Sequence, residues 1–159
     1  LRITARVGSP ESDDYVRLSL EGDAHPLHPV RKIELVRDTP PLFAPPVLFQ
    51  QIWVLSLTDL AVAKLTALGR MEIRDFVDLY FIATVGGMAL PDILPLAPQK
   101  DPGFTETQLA EDLKAVEALN PVARYIESYL LRPMEWQQVV AFCLGFAQEL
   151  LTGHGLERG

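Results

Sequence analysis

Lys64, Arg70, Arg74, Asp75 and Asp78 stand close together in the middle of the chain. Lysine and arginine bind phosphate oxygens through charged hydrogen bonds, and carboxylates hold magnesium or orient a hydroxyl. The set therefore suits a pocket that handles phosphates or nucleotides. It equally suits a structural role, in which Lys64 pairs with the aspartates in the interior and Asp75 also favours its helix by lying near the N-terminus. Residue types and spacing leave both readings open. Under the structural reading Lys64→Met leaves the fold as stable as before or more so; under the functional one it abolishes nucleotide binding.

Two helices must position these residues. Ser56-Leu-Thr-Asp59 is a capping-box-like start with Asp in place of the usual Glu, and the pattern predicts a helix from there to about Leu68, with Gly69 as its C′ residue. Leu57, Leu60, Ala61, Lys64, Leu65 and Leu68 follow i, i+3, i+4 spacing, so Lys64 lies within the apolar stripe. An unpaired buried ammonium is costly, so Lys64 must snorkel to water or meet a partner. A second helix is predicted from near Ile73 to about Thr84, ended by Gly86 and Gly87. Asp75 and Asp78 face the same way on it, and apolar residues surround them on nearly every side. The short link makes the helices neighbours, and Lys64 can then meet both aspartates near the turn.

Other candidates carry less. His25 and His28 sit in a proline-rich loop with no Cys or further His nearby, so no metal ligands are assigned in this chain. Ser9 and Ser56 lack a His at any motif spacing. Phe142, Phe146 and Trp136 at helical spacing read as core. Glu106, Glu111, Asp112 and Glu117 read as a solvated helix face. Cys143, the single cysteine, lies in an apolar stretch and reads as a small buried hydrophobe.

Composition narrows the class. Apolar residues make up 48% and charged residues 22%, which describes a globular chain. The net charge of −7 disfavours broad nonspecific nucleic-acid binding, although Arg31, Lys32 and Arg37 form one local basic cluster and Arg70 and Arg74 another. No run is apolar enough to span a membrane and no secretory signal is visible. With the single cysteine, this fits a cytoplasmic protein.

The first third is β-like and the remainder helical, an α+β pattern. Alternation predicts strands over Arg2–Val7, Tyr15–Leu20 and Val30–Val36, the first two joined by turn chemistry at Gly8–Asp14. Asp38–Pro46 is a proline-rich connection, and Gln51–Leu55 a short apolar strand or extended lead-in. After the helix pair, four prolines mark Leu90–Gly103 as a second connector with room for a short helical turn. Thr105-Glu-Thr-Gln108 is a capping box for a helix to about Leu119; Pro121 starts a short helix to about Leu131, and a last helix runs from about Pro133 to Leu151. The organisation expected is thus residues 1–55, β-rich; 56–87, the Lys/Asp-bearing helix pair; 88–104, connector; and 105–152, a C-terminal helical region.

Ser-Leu-x-Asp-Leu-(x)3-Lys-Leu-x-Ala-Leu, followed by Arg-(x)3-Arg-Asp-(x)2-Asp-Leu, resembles the AbiEii-type nucleotidyltransferase toxins of type IV toxin–antitoxin and abortive-infection systems. The matching residues are Lys64, Arg70, Arg74, Asp75, Asp78 and Leu79, and Arg31-Lys-Ile-Glu-Leu-Val36 resembles a family strand whose acidic position Glu34 would fill. The resemblance implies a partial nucleotidyltransferase-like α/β core with a short antiparallel or mixed sheet, followed by helices. It implies transfer of a nucleotidyl group from an NTP with Mg2+, in some members onto tRNA, and an antitoxin partner. Lys64, Asp75, Asp78 and Glu34 would be its catalytic residues, and Lys64, Arg70 and Arg74 its nucleotide-binding ones. The family's metal-holding strand, with its spaced aspartates, is matched only superficially by Gly8-Ser9 and Asp13-Asp14. Adjacent residues on a strand point to opposite faces, so this stretch reads as a hairpin turn. The metal motif is expected before Leu1, and the chain as it stands is expected to be a poor catalyst. The rival is a non-catalytic interaction module that binds an antitoxin or a partner subunit.

Overall fold

A computed structural model of the chain describes residues 2–6, 15–21, 32–36, 41–119 and 134–156, with side chains over 41–119 and 134–153. The fold is α+β. Strands β1 (Arg2–Arg6), β2 (Tyr15–Glu21) and β3 (Lys32–Val36) form one antiparallel sheet in the order β1-β2-β3. Its register sets Ile3 opposite Leu20, Ala5 opposite Leu18 and Leu18 opposite Ile33, so the apolar positions line up across the strands as the alternation predicts. The turn at Gly8–Asp14, His25 and His28, Arg31 and Arg37, and the helix expected from Pro121 lie outside the described residues.

A second, two-stranded sheet pairs β4 (Val47–Phe49) with β5 (Ile52–Val54). The second strand matches the expected Gln51–Leu55 segment; the first has no counterpart in the sequence reading. Their connection explains why. Gln50 and Gln51 both adopt positive φ, 45° and 70°, which is the backbone of a tight two-residue hairpin. Asn-Gly would announce such a turn; Gln-Gln does not. All six strand residues are exposed, from 40% at Val54 to 69% at Trp53.

Helix α1 (Leu57–Ala67) begins at Ser56, whose hydroxyl oxygen accepts from the Asp59 N–H at 3.0 Å. The Asp59 carboxylate accepts from the Ser56 hydroxyl and also from the backbone N–H groups of Phe43 (2.8 Å) and Ala44 (3.1 Å). The capping residue therefore also ties the proline-rich connection to the helix end, a role that no local pattern announces. Burial pushes the Asp59 pKa up, but the bonds from Ser56, Phe43 and Ala44 outweigh it and hold it below 3.8. A depressed carboxylate pKa contributes stability that is complete above the unfolded value and is lost as pH falls through the folded one. Asp59→Asn should thus lower stability by about 1–3 kcal/mol at neutral pH, and the gap to the parent should close in strong acid. Urea unfolding at a series of pH values checks this; a pH-independent gap would show that the carboxylate charge contributes nothing.

α1 does not end on Gly69. It tightens into a 3-10 turn over Leu68–Arg70, and the left-handed residue that closes it is Met71 (φ 57°), whose N–H donates to the Leu68 carbonyl at 2.8 Å. Gly69 serves a different need: a Cβ there would lie 3.3 Å from an Asp112 carboxylate oxygen. Helix α2 spans Ile73–Thr84, with the expected boundaries. At its end a Cβ on Gly86 would lie 2.5 Å from the Ile82 carbonyl oxygen, so only glycine fits the close of this helix without a backbone shift.

The expected second connector is largely helical. α3 (Leu90–Ile93), a 3-10 turn (Leu94–Leu96) and α4 (Ala97–Lys100) follow one another directly. Pro91, Pro95 and Pro98 each stand in the first turn of a short segment, where the missing N–H has no intrahelical partner to lose. Leu90, Ile93, Leu94 and Ala97 are buried at helical spacing, so the segment packs as one amphipathic unit. Helix α5 (Glu106–Lys114) starts at Thr105, which accepts from the Gln108 N–H, and α6 covers Trp136–Leu156.

The core lies among these helices. Val62, Leu65 and Leu68 from the α1 side meet Phe76 and Leu79 of α2, Leu109 and Leu113 of α5, and Val139, Cys143 and Phe146 of α6. The stripe predicted for α1 is only partly buried. Ala61, Leu65 and Leu68 are inside, whereas Leu57 and Leu60 at the helix start are exposed. Phe142 lies at the core edge, edge-on to Tyr80 at 5.7 Å between ring centres. Burial pushes the Cys143 thiol up to about 12, which keeps it protonated and unreactive. No helix among the described residues is long and apolar enough to cross a membrane.

Candidate functional site

The α1–α2 junction brings together most of the residues singled out from the sequence. Lys64 stands in the last turn of α1. Its ammonium donates to Asp75 Oδ1 at 2.8 Å and pairs with Asp78 Oδ2 at 2.7 Å. The second oxygen of Asp75 accepts from Arg70 Nη2 at 2.9 Å. Two cations and two carboxylates thus form one continuous chain from Arg70 through Asp75 and Lys64 to Asp78.

The local folding explains the geometry. Asp75 and Asp78 are one helical turn apart, so one ammonium can reach both. The 3-10 turn and left-handed Met71 deliver Arg70 to the N-terminal turn of α2, where Asp75 sits. The flanking Phe76, Leu79, Leu65 and Leu68 are buried and fix the two helices against each other.

Depth separates residues that the sequence could not rank. The Asp75 side chain is 0% exposed and Lys64 18%, whereas Asp78 is 47% and Arg70 61% exposed. Asp75 is therefore sealed beneath the cluster with both oxygens engaged. Lys64 lies over it, and Asp78 and Arg70 form the solvent-facing rim. Arg74 is also exposed, and it makes no ion pair or hydrogen bond with the described residues. No buried side-chain nitrogen or oxygen among the described residues lacks a partner.

Burial pulls the Lys64 pKa down, but Asp75 and Asp78 outweigh it and raise it above 10.5. A raised lysine pKa contributes stability that is complete below the unfolded value and is lost only as pH rises through the folded one. Lys64 is thus an ammonium across the whole neutral range, a fixed cation close to the surface.

Glu34 lies in β3, opposite Arg17 in the register with β2; its side chain belongs to the part that is not described. The acidic residues at the junction do not fit a magnesium ion. Both Asp75 oxygens are held by cations and shut away from water, and one Asp78 oxygen is held by Lys64. A divalent cation needs several free oxygens around it. No group of three or more His, Cys, Asp or Glu residues suited to a metal occurs among the described residues. What the junction offers is two cations, Lys64 and Arg70, held by one buried carboxylate, with the exposed Arg74 next to that carboxylate in the chain. Such cations suit phosphate oxygens.

Asp59, in the first turn of α1 and so at the other end of that helix from Lys64, is the residue that sequence reasoning undervalued. Its signal was local, a cap three residues after Ser56; its bonds to Phe43 and Ala44 depend on where a distant connector passes. Compared with known families, residues 1–139 match the family described as nucleotidyl transferase AbiEii toxin, type IV TA system. No curated protein and no solved structure matches the chain. The family match takes in the three-stranded sheet, the whole α1–α2 junction and the start of α6. The chain belongs to the AbiEii nucleotidyltransferase toxin family of type IV toxin–antitoxin systems.

Proposed function

We propose that this chain supplies the nucleotide-binding side of a toxin reaction in which a nucleotidyl group passes from an NTP to an acceptor such as tRNA in the cytoplasm. In that reaction an acceptor oxygen bonds to the α-phosphorus, the bond to the β-phosphate oxygen breaks, and pyrophosphate leaves. Charge builds on the departing phosphates, and cations fixed beforehand stabilise it. Lys64 is such a cation, because a buried carboxylate orients it and it stays charged at all neutral pH values. Arg70 and Arg74 extend the rim outward. Asp75 positions Lys64 and Arg70 and touches no substrate. Of the two aspartates only Asp78 reaches water, so it is the one able to meet an acceptor hydroxyl.

Magnesium enters this reading as the partner of the NTP phosphates, where it neutralises charge. The junction carboxylates do not hold it, and on its described residues the chain binds nucleotide rather than turning it over. The single observation that carries the reading is the 2.8 Å bond from the Lys64 ammonium to the sealed Asp75 carboxylate, whose other oxygen accepts from the exposed Arg70.

Calorimetric titration of the chain with the four Mg-NTPs tests it. Binding should be measurable in the parent, lost in Lys64→Ala and weakened about 3- to 10-fold in Arg74→Ala, which removes one exposed charge. Arg74→Ala disturbs no ion pair or hydrogen bond of the described structure, so its effect reports on the ligand alone. Circular dichroism confirms that each variant is folded. No NTP binding by the folded parent would end this reading.

The exposed apolar hairpin β4–β5 favours a second role beside the first, contact with a protein partner such as the antitoxin. Six exposed apolar residues on one hairpin form the kind of surface that protein interfaces cover. Loss of antitoxin co-purification on Trp53→Ser would support this, and unchanged co-purification would remove it.

A further inference from the structure

Two carboxylates hold Lys64, and they differ in what it would cost to let go. Asp75 is fully buried, with its oxygens bonded to Lys64 and Arg70. To break its contact with Lys64 would leave a buried carboxylate with one oxygen unbonded and only the exposed Arg70 to balance its charge, a costly arrangement. Asp78 is half exposed, and Lys64 is its only ion-pair partner among the described residues. When it lets go, water takes over its solvation, and its rotamer freedom returns. The same ammonium thus has one permanent partner and one replaceable partner.

We propose that Asp78 is an exchangeable counter-ion. It holds Lys64 in the absence of ligand, and a phosphoryl group takes its place on the ammonium when a nucleotide binds.

Charge and direction both support the exchange. An ammonium has three donors, one of them directed at Asp75; the position that Asp78 occupies is on the exposed side of the cluster. With Asp78 in place, the positive charges of Lys64 and Arg70 are balanced by the two carboxylates. With Asp78 swung out, that balance shifts by one positive charge toward the incoming phosphate. Lys64 does not change its protonation in the process. It stays bonded to Asp75, so the cation does not have to be reoriented and only the rim rearranges.

The exchange rests on the phosphate-binding reading above, and one experiment separates the two. The full chain is titrated with ATP, and with adenosine as the ligand that lacks phosphates, in parent, Asp78→Asn and Lys64→Ala forms. Asp78→Asn removes the competing charge and keeps the side chain's size. It should bind ATP about 3- to 10-fold more tightly than the parent, as expected for loss of a half-exposed competing charge and its repulsion of phosphate. Its affinity for adenosine should not change, because adenosine has nothing to place on Lys64. ATP affinity that is unchanged or weaker in a folded Asp78→Asn, with binding still lost in Lys64→Ala, overturns the exchange and leaves the phosphate site standing. ATP binding by neither the parent nor Asp78→Asn overturns both. An equal gain for ATP and adenosine also overturns the exchange, since it would mean a general loosening of the junction.

Discussion

Lys64→Met is expected to lower the stability of the chain by about 3 kcal/mol, against the intuition that a buried ion pair can be traded for apolar bulk at no loss. That trade works when both charges leave together. Here the single change takes away the ammonium and leaves Asp75, at 0% side-chain exposure, with one oxygen unbonded and only an exposed arginine, Arg70, on the other. The residual carboxylate is then charged or protonated in an apolar setting, and either state is costly. The double variant Lys64→Met, Asp75→Leu should recover most of the loss, because no buried charge remains. Urea unfolding of the parent, the single and the double variants checks this. A single variant as stable as the parent would mean that Asp75 is solvated in solution, and the sealed carboxylate would have to be given up.

Phe76→Ala should cost about 3–5 kcal/mol, the range for a large aromatic side chain removed from a packed core. Phe76 is fully buried, follows Asp75 directly in the chain, and packs in the cluster that α1, α2, α5 and α6 share. Stability in domains of this kind is of order 5–15 kcal/mol in total, so a large part of it would be lost. Phe76→Leu keeps most of the apolar volume and should cost about 1.5 kcal/mol or less. The ratio between the two is the informative quantity. It should appear as a shift of the denaturation midpoint at constant slope. Similar costs for both substitutions would show that the aromatic bulk is not what fills the junction. Any loosening here should also reach ligand binding, since α2 carries both aspartates.

Several features could be read from the residues alone because they follow from periodicity and local chemistry. The boundaries of α2, the cap at Ser56, the cap at Thr105 and the antiparallel pairing of the first two strands all came from patterns a few residues long. So did the meeting of Lys64 with both aspartates, since i, i+3 spacing puts Asp75 and Asp78 on one side of a helix whichever way that helix packs. The helical nature of residues 90–100 was obscured because proline is an effective breaker in mid-helix, and only the backbone shows that each one stands at the start of a segment. The β4–β5 hairpin was missed for a related reason, as its turn uses two glutamines in a conformation that glycine or asparagine normally signals.

Spacing along a helix fixes direction but not depth. The sequence determined that one lysine would face two carboxylates; only the tertiary structure decided that Asp75 is sealed and Asp78 lies at the surface. That difference arises because Asp75, one turn nearer the start of α2, meets Arg70 from the 3-10 turn, while Asp78 lies where the described chain leaves it open to water. In the same way a capping pattern determined that Asp59 would serve α1, and the path of a connector 15 and 16 residues away decided that it would also bind Phe43 and Ala44. Burial and long-range hydrogen bonds depend on which distant segments arrive at a residue, and no local period encodes that.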